Sequence, residues 1–399
     1  MFRIETLHCS TALTRALATM TDLDSNPRLS IPSHAALVLP DGDLSVPDLL
    51  RYKLLNPLRT IYRSELVPWS TSPAGPIDPT ILRNHIMPPK EVLDHLLSEV
   101  AHLAPTVRSV QRAAILPDST LPGNLPIWIL SFWAKSYEAR WWRGQWKVCN
   151  DWVASRPHVS AGLRDQLDKT LINIHWRGSL DGRRRDRSIS DIFDLLSNNE
   201  LNSGQIDDLL ELIERDLPTQ SPRGAASPLV ASTVLAQTLV FAHQQRDSND
   251  FRKTWFQATV EKSLVEKRKS SVAGVAWISR SGHGHWVSYV VNPASSLISY
   301  GDSLGGSIPL ALSAALQWWL LNLREMMGLS IDDTVTVVPL PITPQDDGFS
   351  CGILSTNSIG YHLTHDTFPL VGRDPVSIKT YRIKRTIDIL MLDGEFVRV

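Results

Sequence analysis

The stretch SGHGHWVSYVVNPASSLISYGDSLGG, Ser281 to Gly306, decides how the second half of this 399-residue chain is read. Two runs rich in β-branched and aromatic residues, Trp286–Val291 and Ser296–Asp302, flank Asn292-Pro293-Ala294-Ser295, which has the composition of a four-residue turn. With that loop Val291 pairs with Ser296, and the same register sets His285 directly opposite Asp302, their Cβ atoms about 5 Å apart. A carboxylate at that distance accepts an imidazole N–H, fixes the tautomer and leaves the other ring nitrogen as a base. A slip of one residue would send the two side chains to opposite faces, so the inference rests on the turn.

Around this hairpin, SVAGVAWIS (271–279) and TVTVVPL (334–340) read as further strands, and the apolar run beginning IPLALSAALQWWLLNL reads as a buried helix over 309–327. Upstream, ISDIFDLLSNNELNSGQIDDLLELIERDL gives two helices, the second with Ile206, Leu209, Leu210 and Ile213 at helical spacing. Helices interleaved with antiparallel strands indicate an α+β domain. Downstream, PQDDGFSCGI (344–353) holds one of only three cysteines, and the residues after Cys351 have the apolar spacing of a short helix. A thiol at a helix N-terminus sits beside unpaired N–H groups and the positive end of the dipole, which favours thiolate. Gln345 carries a side-chain N–H that can join the Cys351 backbone N–H at a developing oxyanion. The bland alternatives are a buried small hydrophobe for Cys351, a capping or surface group for His285 and a turn residue for Asp302. His283, two residues from His285, raises a His-x-His metal pair, but no cysteine or carboxylate completes a ligand set, so no metal and no cofactor are expected.

The N-terminal part mixes short helical patterns with proline-rich punctuation, notably STSPAGPIDP (70–79) and LPDSTLPGNLP (116–126). A long helix then covers about 126–154, with Pro126 in its first turn and Trp128, Phe132, Trp142 and Trp146 among its apolar residues. No ordered basic groove accompanies these aromatics, so they read as core packing and not as a nucleic-acid platform. Cys149 in the same helix reads as an inert buried thiol. The division expected is a helical accessory domain over 1–176, an arginine-rich linker over 177–187 with Arg183, Arg184, Arg185 and Arg187, and a catalytic domain over 188–399.

Lysine and arginine total 40 against 41 acidic residues, so no basic field invites nucleic acid. Cys9, Cys149 and Cys351 are too few and too scattered for a disulfide framework, which favours a reducing compartment. The first twenty residues lack the apolar core of a secretory signal, and the 16-residue run 308–323 is short for a membrane span. An intracellular protein, nuclear or cytoplasmic and not membrane-bound, is expected.

Taken together, His285-Trp286, Tyr300-Gly301-Asp302-Ser303-Leu304 and Gln345-Asp346-Asp347-Gly348-Phe349-Ser350-Cys351-Gly352 resemble the ubiquitin-like-protein-specific cysteine peptidases, the SUMO proteases, in order and interval. The likeness covers about 188–399. It implies a papain-like cysteine protease fold in which His285 is the general base, Asp302 orients it, Cys351 attacks and Gln345 serves the oxyanion hole. Trp286, Glu200 and Gly348 fall at substrate-binding positions, Trp286 covering a channel that only a Gly-Gly tail can thread. The implied partners are a ubiquitin-like modifier and its lysine-linked conjugates. The Trp-rich segment before the domain is similar to accessory regions of such peptidases carried by mobile elements. Two positions depart from the pattern: Glu200 stands where the family often has Trp, with Ser203 at its Asp position, and Ser350 stands where Asp or Asn usually precedes the cysteine. Two other readings share the scaffold, an acyltransferase and a catalytically silent modifier-binding protein.

Overall fold

The structure is a computed structural model that describes residues 29–57, 69–70, 77–84, 87–102, 112–114, 124–180, 187–217, 227–247, 254–266, 269–280, 282–330, 334–365 and 367–392. Cys9 and Arg183–Arg185 lie outside them. The chain forms two compact units, 1–147 with 174–177 and 148–173 with 178–399, so the division falls inside the long helix Trp128–Ala154.

In the first unit, helices Lys90–His102 and Trp128–Ala154 carry a core that includes Leu93, Leu97, Ile129, Phe132 and Trp133. Three short strands, Trp69–Ser70, Arg112–Ala114 and Asn124–Leu125, form an antiparallel sheet. Two buried tryptophans give their N–H groups to carbonyls: Trp146 donates to the Trp176 carbonyl at 3.0 Å, and Trp176 donates to that of Asp41 at 2.6 Å.

The second unit is built on a five-stranded mixed sheet. Helix α1 (Ser203–Asp216) precedes strand β1 (Leu229–Val230), followed by α2 (Val234–Gln245) and α3 (Trp255–Glu266). Strands β2 (Val272–Arg280), β3 (His283–Asn292) and β4 (Leu297–Gly301) form a meander. Then come α4 (Leu310–Met326), β5 (Thr336–Pro339), α5 (Cys351–Leu363) and α6 (Pro375–Leu392). The sheet order is β5-β4-β3-β2-β1. The outer strands pair parallel, β1 with β2 and β5 with β4, which corrects the expectation of antiparallel strands alone. Each parallel pair is joined by a crossover, as parallel pairing requires, and here each crossover contains helix.

Strand alternation sorts the two faces. Val272, Ala276, Val287, Tyr289 and Val291 enter one core with Leu235 and Leu239 of α2 and Leu316, Trp319 and Leu320 of α4. On the opposite face α5 packs across β3 and β2, and α1 and α6 lie beyond it. Residues 351–360 of α5 are all buried, as a helix covered on every side must be. Its polar side chains are satisfied there: Ser355 donates to the Trp286 carbonyl at 2.9 Å and Ser358 to that of Pro341 at 2.7 Å.

The β3–β4 hairpin has a different register from the expected one. Asn292 pairs with Leu297 and Val291 with Ile298, so the turn is Pro293–Ser296, with Ser296 at φ 52°. His285 and Asp302 are therefore not direct cross-strand neighbours, and His285 pairs instead with Ile278 on β2. The shift is two residues, and an even shift keeps every side chain on its own face, so the pair still converges along a diagonal.

Candidate active site

Three segments meet at the end of the meander. His285 is 3% exposed on β3, and its Nε2 lies 2.8 Å from Oδ1 of Asp302, the first residue after β4. With Nε2 so engaged, Nδ1 is the nitrogen left for another partner. Cys351, at the start of α5, lies close enough to act on this imidazole and raises it. The carboxylate is held on both oxygens: Oδ1 also accepts the Leu304 N–H at 2.8 Å, and Oδ2 accepts from Nη1 of Arg280 at 2.7 Å.

The electrostatics follow. Burial pulls the His285 imidazole down, but the Asp302 and Cys351 contacts more than reverse this and raise it to about 9. Burial pushes Asp302 up, and the His285 hydrogen bond, the Leu304 N–H and the Arg280 charge together bring it below the usual carboxylate value. The site thus holds its carboxylate ionised and its imidazole protonated at neutral pH. By contrast, Cys149 is buried against the Phe193 carbonyl, and burial raises its thiol to about 12, so it stays a thiol.

Cys351 is the first residue of α5 and is 2% exposed. Among the described residues no side chain caps this helix, so its first-turn N–H groups remain for whatever sits beside the sulfur. Asp347 shapes the approach instead. Its Oδ1 accepts the N–H groups of Phe349 and Ser350 at 3.0 and 2.8 Å, and its Oδ2 accepts the Ser350 hydroxyl at 2.6 Å. Ser350, the residue that departs from the family pattern, is fully buried as a member of this turn. Behind it the buried Arg382 guanidinium donates to the carbonyls of Asp194, Ser197, Asn199 and Phe349 at 2.7–3.1 Å.

Gln345 lies beside this loop. Its Oε1 accepts the Ser303 hydroxyl at 2.6 Å and its Nε2 donates to the Asp347 carbonyl at 2.9 Å. A carbonyl only accepts, so this contact fixes the amide orientation, and the second Nε2 hydrogen remains to be given. Trp286 is buried and donates to the Leu201 carbonyl at 2.7 Å. Leu201 is held in turn by the capping box of Asn202 and Gln205 that starts α1. Gly352 sits against this wall: a Cβ there would lie 2.8 Å from Ile206 and 3.2 Å from Trp286. Trp277, paired across the strands with Trp286, continues the wall, with ring centroids 4.8 Å apart. Gly284 lets Trp277 lie there, since a Cβ would fall inside its ring. Glu200 is exposed next to Leu201, and Gly348 faces open space.

His285, Asp302, Cys351, Gln345 and Trp286 are thus gathered at one place. Sequence reasoning missed Arg280, Ser303, Asp347 and Trp277. Only Ser303 carried a signal, its place beside Asp302. Among the described residues no group of three or more His, Cys, Asp or Glu is arranged to hold a metal, and no helix is long and apolar enough to cross a membrane.

A thiol at a helix start, an imidazole and a carboxylate are thus brought to one place, as cysteine peptidases require. Among solved structures the chain is similar to the SUMO protease Ulp1 with its catalytic cysteine oxidised to a sulfinic acid: 17% identity over 59% of this chain and 97% of that one, TM-score 0.43. It is also similar to the Ulp1-like SUMO protease catalytic domain of Chaetomium thermophilum, at 16% identity over 58% and 89%, TM-score 0.42. A third similar structure is ChlaDub1 of Chlamydia trachomatis, at 12% identity over 50% and 93%, TM-score 0.31. No family profile and no curated protein matches the sequence. The chemistry rests on the side chains themselves.

Proposed function

We propose that residues 188–399 form a cysteine peptidase that cleaves after the C-terminal Gly-Gly of a ubiquitin-like modifier, as an isopeptidase on lysine-linked conjugates or as an endopeptidase on precursors. The observation that carries this reading is the Asp302–His285 contact at 2.8 Å, with Cys351 at the start of α5 acting on the same ring. The thiolate of Cys351 attacks the glycyl carbonyl carbon, and the oxyanion takes the Cys351 N–H and the second Gln345 Nε2 hydrogen. As the C–N bond breaks, imidazolium Nδ1 of His285 gives its proton to the departing amine. The neutral ring then takes a proton from water, whose oxygen opens the thioester, releases the modifier carboxylate and restores the thiolate–imidazolium pair. The Trp286 wall suits a tail without side chains, because a Cβ facing it would have to displace a buried indole held by Leu201. Residues 1–176 are assigned here to an accessory role outside the chemistry.

Fusions of several ubiquitin-like modifiers to a reporter through their Gly-Gly termini test the reading. At least one fusion should be cut after the second glycine, and Cys351→Ser should bind that modifier without cutting it. Equal turnover by Cys351→Ser would refute the proposal.

A further inference from the structure

Arg280 ends β2 at the tight β2–β3 connection, where Gly282 adopts φ 83°. In this hairpin Ile278 pairs with His285 and Arg280 with His283, so Arg280 lies diagonal to His285 on the same face. One pairing register therefore aims an imidazole and a guanidinium at the same carboxylate. Asp302 receives them on different oxygens, His285 on Oδ1 at 2.8 Å and Arg280 on Oδ2 at 2.7 Å. Gly306 makes room for the cation, since a Cβ there would lie 2.4 Å from Nη1 of Arg280. The carboxylate is 2% exposed and the arginine side chain 39%. Arg280 is thus the one side-chain cation, among the described residues, that reaches Asp302 from solvent.

We infer that Arg280 is a positioning residue of this site: by occupying Oδ2 of Asp302 it locks the carboxylate rotamer that keeps Oδ1 on Nε2 of His285. This inference rests on the peptidase reading for its consequence in turnover, but not for its consequence in thiol reactivity. Without Arg280 a buried oxygen loses its partner, and the carboxylate is free to turn toward solvent for a new one. The imidazole then loses the interaction that holds its proton. The other groups that act on this cluster are Cys351 from α5 and Tyr300 from β4, whose phenol is raised by burial and by Asp302 and stays neutral. Among the described residues the Leu304 N–H also holds Oδ1, but no cation besides His285 and Arg280 acts on Asp302, so no other charge takes the place of Arg280 on Oδ2.

The test is the rate at which iodoacetamide alkylates Cys351 as a function of pH, read peptide by peptide in the full-length protein. It is run for wild type, Arg280→Gln, Arg280→Lys, Asp302→Ala and the Arg280→Gln/Asp302→Ala double variant. Arg280→Gln should lower the rate at pH 6 by about tenfold and move the basic limb, set by loss of the imidazolium proton, down by about one pH unit. Arg280→Lys should recover part of both. In the Asp302→Ala background Arg280→Gln should change nothing further. A basic limb that moves up would show an electrostatic effect without positioning and would overturn the inference. So would an unchanged profile, or an equal loss in both backgrounds. If wild type shows the expected profile but cuts no modifier, the peptidase reading fails while the Arg280 inference stands.

Discussion

Replacing Asp302 by Asn keeps the shape of the side chain and removes its charge, and the structure says what that does. Asp302 takes three donors: His285 Nε2 and the Leu304 N–H on Oδ1, and Arg280 on Oδ2. An amide has one oxygen, so its NH2 must face a donor on one side. If the oxygen goes to Arg280, the NH2 meets the Leu304 N–H and presents hydrogen to Nε2. The imidazole must then carry its remaining proton on Nδ1, and the lone pair that serves Cys351 is lost. If the oxygen stays with His285, the NH2 opposes the guanidinium. Proton occupancy falls as well. With His285 at about 9, roughly 97% of the ring is imidazolium at pH 7.5. Without the carboxylate, only the Cys351 contact is left to oppose burial, so the ring's value falls and less of it is protonated at pH 7.5. Together with the tautomer fault, the loss in kcat/KM should be about 100- to 10,000-fold. The assay is kcat/KM against pH on the Gly-Gly reporter fusion, with a thermal melt to show that the variant is folded. A folded Asp302→Asn within about threefold of wild type, its basic limb unmoved, would refute the reasoning.

Other consequences follow from the same contacts. Gly352→Ala forces a Cβ to within 2.8 Å of Ile206 and 3.2 Å of Trp286, and should lower the urea midpoint by the equivalent of about 1–3 kcal/mol. Ser303→Ala frees Oε1 of Gln345 and should lower kcat by about tenfold, with KM nearly unchanged, in steady-state kinetics. Since the folded-state value of His285 is raised, its contribution to stability is full below about pH 6.5 and is lost as pH rises through about 9. Thermal melts between those values should therefore fall in wild type and fall less in His285→Gln, and parallel curves would contradict this.

The meander and the helix bearing the thiol were legible because β-branched alternation, a Pro-containing turn and apolar spacing after Cys351 are local signals. The hairpin register was not, because Ser296 enters the left-handed region and the four-residue turn moves one position along the chain, to Pro293–Ser296. The error was even, so the meeting of His285 and Asp302 survived it. Strand β1 is two residues long and pairs with a partner some forty residues onward, too little pattern to read. Arg280 sits at a strand end like any surface arginine, and only the three-dimensional path of Asp302 gives it a purpose. Arg382 carried no signal in the sequence, yet it is fully buried on four carbonyls behind the thiol loop. Such partners lie 33 to 188 residues away, beyond the reach of any periodicity.

The most direct measurement of the assembled thiol, imidazole and carboxylate is covalent capture by a modifier whose terminal glycine is replaced with propargylamine. Wild-type protein should gain one modifier mass, mapped to Cys351 by peptide sequencing, and His285→Ala and Asp302→Ala should gain it far more slowly. A folded wild-type protein that remains unlabelled across a panel of modifiers, or is labelled at Cys149 instead, would contradict the account.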